Sequence, residues 1–144
     1  MRKQISILLF IILTISQLGC SNQTEEKTYL DFINKLNELN FKIEAEDVEE
    51  DILQGQRKWL TLNEEEHISV YLYENNEKME EDASCINSGG ASYDNGKNSV
   101  KISWASLPHF YKNENMIVLY VGQNADLTTA LEQILGVQFA GYQK

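Results

Sequence analysis

The first twenty residues constrain the rest of this chain most, because they divide a short leader from the part that can fold. Arg2 and Lys3 make a basic start, and an apolar run over 5–15 follows. About eleven residues are too few for a membrane-spanning helix, which needs roughly twenty. They suit the apolar region of a secretory signal, and small Gly19 suits a cleavage site. We therefore expect residues 1–19 to be removed as a signal peptide.

Cys20 indicates a particular class of signal peptide. A small residue directly before a cysteine resembles the bacterial lipobox, in which that cysteine receives a diacylglyceryl group and becomes the mature N-terminus. The polar Gln17 departs from this pattern, which usually has an apolar residue there. The resemblance implies a protein held by lipid on Cys20 at the outer face of the cell membrane, with 20–26 as lipidated cysteine and polar spacer. The alternatives are an ordinary secreted protein and an uncleaved anchor.

The length and charge of the mature chain limit what it can be. It suffices for one modest hydrophobic core, so we expect a single globular domain over 27–144. Loss of Arg2 and Lys3 leaves 10 basic residues against 22 acidic ones. Nucleic acid is held mainly by lysine and arginine contacts to phosphate, so no nucleic-acid partner is expected. With Cys20 lipidated, Cys85 has no partner in the chain for a disulfide.

Apolar periodicity predicts three helices. Residues at helical spacing give one apolar stripe over 29–39, a second over 79–86 and a third over 127–135. Residues suited to begin these helices are Thr24, Asn75 or Asn76, and Asp126.

Alternating apolar and polar residues predict the strands between these helices. The alternation runs over 41–46, 57–62, 68–73 and 99–104. The uncharged run over 116–121 predicts a central strand covered on both faces. The order is helix, three strands, helix, two or three strands, helix. It predicts an α+β fold, with a mainly antiparallel sheet of about five strands and two to three packed helices.

The hairpin of 57–62 and 68–73, joined by the charged loop 63–67, carries the predicted binding patch. If Leu62 pairs with Ile68, Trp59 lies opposite Tyr71 on the face away from the core. Such a surface can hold a carbohydrate, a peptide or another envelope protein. The alternative is that a helix covers this face and its rings are ordinary core. The patch consists of Arg57, Trp59, Tyr71 and Tyr73.

Candidate catalytic groups are few, and we predict no catalytic residue, cofactor or metal. Cys85 follows the acidic run 80–82, which disfavours the reactive thiolate. His67 and His109 each lack the neighbouring ligands that a metal site needs. The acidic runs predict solvated carboxylates, whereas acid–base catalysis needs a buried carboxyl group. The alternative function is a small extracytoplasmic hydrolase or thiol-dependent enzyme that uses Cys85 with His67 or His109.

Three stretches together carry a family resemblance. They are ISVYLYENNEKM at 68–79, PHFY at 108–111 with IVLYVG at 117–122, and ILGVQFAG at 134–141. With the leader in front, the chain resembles small lipoproteins of Gram-positive bacteria that have no assigned activity. The resemblance implies a place in the cell envelope and adds no chemistry. The sequence therefore predicts a lipid-anchored binding or interaction protein.

Overall fold

The structure is a computed structural model that describes residues 21–142, with side chains from Glu25 onward. The predicted signal peptide and Cys20, the predicted site of lipid attachment, lie outside the described residues. Within 21–142, no helix combines the length and the apolar character needed to cross a membrane. In chain order the elements are α1 (Ser21–Glu38), β1 (Ile43–Asp47), β2 (Gln56–Leu62), β3 (Glu66–Leu72), α2 (Asn76–Ser84), β4 (Ser92–Asp94), β5 (Ser99–Lys101), β6 (Pro108–Asn113), β7 (Met116–Val121), α3 (Ala125–Leu135) and β8 (Ala140–Gly141).

Six strands form one sheet in the order β1-β2-β3-β7-β6-β8, and every neighbouring pair is antiparallel. The α+β prediction with a mainly antiparallel sheet is thus confirmed, with six strands in place of about five. β4 and β5 form a separate small hairpin. The predicted strand over 99–104 is wrong beyond Lys101, which is the last residue of β5 and the last one paired with β4.

The sheet is covered on both faces, which gives two hydrophobic clusters. On the first face, α1 and α3 pack over the strands through residues such as Leu36 and Leu131. On the second face, α2 contributes Met79 and Ala83. β7 supplies Val118 to the first cluster and Leu119 to the second, so the prediction of a central strand covered on both faces is confirmed.

The residues that cap the N-termini of the helices agree only in part with the predicted ones. Asn75 caps α2, as expected, by accepting a hydrogen bond from the Lys78 N–H. The prediction that Asp126 caps α3 is wrong, because the side chain of Asn124 accepts from the N–H groups of Asp126 and Leu127. Asp126 instead lies in the first turn, where its charge suits the helix dipole. Thr24 is preceded by helical residues from Ser21 onward, so it does not begin the described part of α1.

The β2–β3 hairpin has a tighter turn than predicted. Asn63 and Glu64 both have positive φ, at 52° and 65°, and the Leu62 carbonyl accepts from the Glu65 N–H at 3.2 Å. Two consecutive residues of this kind suit a short hairpin connection. The loop 63–67 was therefore predicted too long, and β3 begins at Glu66.

This turn shifts the strand pairing by two residues from the predicted register. Leu62 lies opposite Glu66 and not Ile68, which instead faces Leu60. Because the side-chain period of a strand is two, a two-residue shift changes each partner but leaves every side chain on its predicted face. As a result Arg57 lies opposite Tyr71, and the predicted pairing of Trp59 with Tyr71 is wrong.

Candidate functional site

The structure divides the predicted patch by burial. Its four residues share one side of the sheet, but Tyr71 and Tyr73 are only 2% and 5% exposed. They belong to the cluster under α2, together with Leu53 from the segment before β2. Arg57 and Trp59, farther out on the sheet, are half-buried. The two tyrosines are therefore core residues, as the alternative interpretation predicts for a face that a helix covers.

Arg57 links the exposed and buried parts of this face. Its guanidinium lies 3.2 Å from the Asp51 carboxylate and donates to the Ser69 hydroxyl at 3.1 Å. It also lies 5.4 Å from the centre of the Trp59 ring and 6.0 Å from that of Tyr71. Tyr71 in turn donates its hydroxyl to Asp51 at 3.1 Å. Burial first, and then the negative charge of Asp51, raise the pKa of Tyr71 above its usual range. The arginine thus fastens the segment before β2 onto the sheet.

Trp59 has a histidine beside it on the outer part of this face. The rings of Trp59 and His67 are stacked, with centroids 5.3 Å apart. His67 lies in β3 and not in the loop where it was expected, and its Nδ1 is 3.2 Å from the Thr61 hydroxyl. On the neighbouring strand β1, Glu46 lies opposite Trp59 and Glu44 lies opposite Thr61. This corner of the sheet therefore combines aromatic rings with exposed carboxylates.

The second notable group is a carboxylate that the sequence analysis predicts to be solvated. Asp82 is only 5% exposed. Its Oδ2 accepts from the Tyr73 hydroxyl and the Gln54 N–H, each at 2.7 Å, and its Oδ1 accepts from the Tyr93 hydroxyl at 2.6 Å. The prediction that the run 80–82 is solvated is therefore wrong for this residue. The missed signal is positional, since Asp82 falls on the buried stripe of α2 with Met79.

Among the described residues, only neutral groups donate hydrogen bonds to the Asp82 carboxylate, and no cation forms an ion pair with it. Burial and the bond to Asp82 raise the pKa of Tyr93 to about 12. The same two causes raise the pKa of Tyr73 farther above its usual range. Both hydroxyls therefore remain protonated donors at neutral pH. A buried charge is costly unless hydrogen bonds compensate it, and three donors provide that compensation here.

A cleft of about 610 Å³ opens beside this network, between the end of β3, α2 and the β4–β5 hairpin. Its volume falls within the range of small-molecule sites, about 300–1,000 Å³. Gly55 forms part of the wall, and a Cβ there would come within 2.9 Å of the Tyr73 ring, so glycine permits the close approach. The other lining residues carry charges of both signs, including Glu74, Lys78, Glu81 and Lys97.

The groups considered for catalysis do not converge. Cys85 is half-buried and lines the cleft, where its thiol donates to a backbone carbonyl of α2 at 3.4 Å. His109 is 5% exposed and lies 2.9 Å from Gln138 Oε1 and 3.2 Å from the Gly122 carbonyl. No hydrogen bond in the described chain joins Cys85 to His67 or His109. Within 21–142, there is no group of three or more histidine, cysteine or acidic side chains that could hold a metal ion.

Comparison of the chain with protein-family models, curated proteins and solved structures finds no match. What the site can do follows from its geometry. The Asp82 network offers fixed polar groups at the side of the cleft, and the wall offers charges of both signs. Such an arrangement suits the binding of a small polar molecule, because a few fixed polar groups orient a ligand in a pocket.

Proposed function

We propose that this chain is a binding protein of the bacterial cell envelope, attached to the outer face of the membrane by lipid on Cys20. The basic start, the short apolar run and the small residue before Cys20 support the attachment. The surplus of acidic residues supports a domain held away from an anionic bilayer surface. The resemblance to small Gram-positive lipoproteins supports the same location.

The observation that carries the binding function is the cleft beside the buried Asp82. A cleft wall built on a carboxylate with three hydrogen bonds is rigid, because moving it would break several bonds at once. Rigid walls lower the cost of ordering a site when a ligand enters. The proposed site therefore exists before the ligand arrives.

The charges on the wall point to a small polar ligand that carries both an ammonium and an acidic group. Lys78 is paired with Glu74, so these two charges largely compensate each other. Glu81 and Lys97 remain as exposed charges of opposite sign on the wall. An amino acid or a short peptide offers the matching pair of charges, whereas an apolar ligand would leave both wall charges without a partner.

Cys85 provides a direct test of the cleft, because it lines the wall and the other cysteine is the proposed lipid site. The assay measures the rate at which iodoacetamide alkylates Cys85 in the protein recovered from membranes in detergent. Added alanine, lysine or the dipeptide of the two should slow alkylation if any of them occupies the cleft. Lys97→Met should weaken that protection, whereas Lys112→Met on β6, outside the cleft, should leave it unchanged. Equal rates with and without every probe would contradict the proposed site.

The anchor has its own test. Cells that express the chain are grown with radioactive palmitate, and the label on the protein is measured. We expect labelled protein in the membrane fraction and unlabelled protein for Cys20→Ser. Equal labelling of both forms, or native protein found in the cytosol, would contradict the anchor and leave the test of the cleft unaffected.

A further inference from the structure

β1 ends the sheet with one side unpaired. It forms its ladder with β2 alone, and within 21–142 no other strand pairs with its outer side. Four of its five residues are exposed and Ile43 is half-buried. An unpaired edge of this kind offers backbone groups to another strand, and added strands are a recurring mode of peptide recognition.

The hydrogen-bond pattern shows which backbone groups of β1 point outward. On one flank the Lys42 carbonyl accepts from the Asn63 N–H at 2.9 Å, and on the other the Val48 N–H donates to the Arg57 carbonyl at 3.3 Å. In an antiparallel pair, only alternate residues bond to a given neighbour. Even-numbered residues therefore bond to β2, while the N–H and C=O groups of 43, 45 and 47 point away from the sheet.

Within β1 itself, the side chains on the face that carries Trp59 are both acidic, and the exposed Lys42 directly precedes the strand. Glu44 and Glu46 are exposed there, and neither forms an ion pair with a described residue. Asp47 lies on the opposite face, where it is paired with Lys58 at 2.5 Å. The free negative charge of β1 therefore consists of two carboxylates spaced two residues apart.

These carboxylates discriminate between possible occupants. A second copy of this chain would set glutamate rows against each other, and like charges facing across strands are destabilising. The net charge of −10 adds repulsion between copies. A strand with lysine or arginine at alternate positions would instead place its cations beside Glu44 and Glu46. The alternate residues of that strand would lie on the opposite face of the sheet, beside Ile43 and Ala45.

We propose that the outer edge of β1 binds an extended basic segment of an envelope partner as an additional strand of the sheet. Backbone bonds to 43, 45 and 47 hold the segment, and Glu44 and Glu46 select its charge. Trp59 and the stacked His67, on the same face, extend the contact to long basic side chains, because a cation over an aromatic ring is attracted to it. This surface is separate from the cleft and needs no ligand there.

The test uses the protein recovered from membranes in detergent and a fluorescent peptide of about ten residues in which lysine and threonine alternate, which is at the upper end of usual strand lengths. We expect binding of this peptide and none of its glutamate–threonine counterpart. Glu44→Lys with Glu46→Lys should weaken binding about tenfold or more, because two ion pairs become repulsive contacts. The matched control is Glu77→Lys with Glu132→Lys, two exposed residues in helices, which changes the net charge equally. It should alter affinity by no more than about twofold.

Hydrogen exchange distinguishes an added strand from loose attraction between charges. The peptide should slow exchange of the outward N–H groups of Ile43, Ala45 and Asp47, and have little effect on those of Glu44 and Glu46, which already bond to β2. Ala45→Pro removes one outward donor and should lower affinity without unfolding the protein, checked by its circular dichroism. Equal weakening by the control pair, or no change in exchange along β1, would overturn the proposal.

Discussion

Asp82→Ala is expected to destabilise this domain strongly, because three donors around that carboxylate would lose their acceptor. Two of them are the hydroxyls of Tyr73 and Tyr93, and the third is the N–H of Gln54. Both rings are at least nine-tenths buried, so their hydroxyls have few other partners. The cleft beside them admits water, which limits the loss.

The expected magnitude follows from these three bonds. A hydrogen bond to a charged group contributes about 1.5–3 kcal/mol, and a buried donor left without a partner costs about 1–3 kcal/mol. Removal of the carboxylate also ends the cost of keeping a charge buried, so the three bonds do not add in full. We expect a loss of about 3–5 kcal/mol, which is a large part of the roughly 5–15 kcal/mol typical of a small domain.

Asp82→Asn separates the loss of charge from the loss of hydrogen bonds. Its carbonyl oxygen can still accept from Tyr73 and Gln54, and its amide can donate to the Tyr93 hydroxyl if that group turns to accept. The bonds then change from charged to neutral ones, which are roughly half as strong. We expect a loss of about 1–2 kcal/mol for this variant.

Urea unfolding at neutral pH, followed by tryptophan fluorescence, measures these differences. The slope with urea should stay constant if only stability changes. The control is Glu81→Ala, the exposed neighbour on α2, which should stay within about 0.5 kcal/mol of the wild type. If Asp82→Ala matched that control, the hydrogen-bond network would not hold the fold together and the reasoning would be refuted.

Three further predictions concern other parts of the molecule. Burial raises the pKa of Tyr93 to about 12, so its contribution to stability is complete below the unfolded value near 10 and is lost as pH rises from 10 to 12; urea midpoints across this range should fall less in Tyr93→Phe. Asn124→Ala should lower stability by about 1 kcal/mol, and Asp126→Ala by less, in thermal melts, because Asn124 supplies the cap. Tyr71→Ala should cost about 3–5 kcal/mol, and the half-buried Trp59→Ala clearly less, in urea titrations; equal losses would show that Trp59 is core.

The class of fold was predictable from the sequence because periodicity and turn residues are local signals. The uncharged run over 116–121 indicated a central strand, and β7 occupies that place. Asn75 was identified as a cap from its position before an apolar stripe. The cap of α3 was missed, although Asn124 is of a residue type that often caps helices; it is held by one partner nearby in sequence and one on β3. Its N–H donates to the Tyr120 hydroxyl at 3.0 Å and its side-chain amide to Glu66 at 3.1 Å.

The hairpin shows which part of a strand arrangement the sequence determines. Alternation assigned Arg57, Trp59 and Tyr71 to one face, and the structure has them there. The cross-strand partners depended on the turn, where Asn63 and the non-glycine Glu64 adopt positive φ. Glutamate seldom takes this conformation, so nothing in the residue itself indicated a short turn. The face was therefore predictable and the register was not.

The environment of each carboxylate in the candidate site was not predictable either. The residues of an acidic run look the same in sequence, whatever surrounds each of them in the fold. Asp51 is held by Arg57 and a tyrosine, and Asp82 is enclosed by neutral donors. Glu44 and Glu46 keep their charge in solvent without an ion pair among the described residues. Partners from distant strands decide which carboxylates support the fold and which remain free to attract a ligand. Other exposed carboxylates also lack an ion pair among the described residues, but Glu44 and Glu46 lie on a strand whose outer backbone groups are unpaired, which is why a basic strand should bind there.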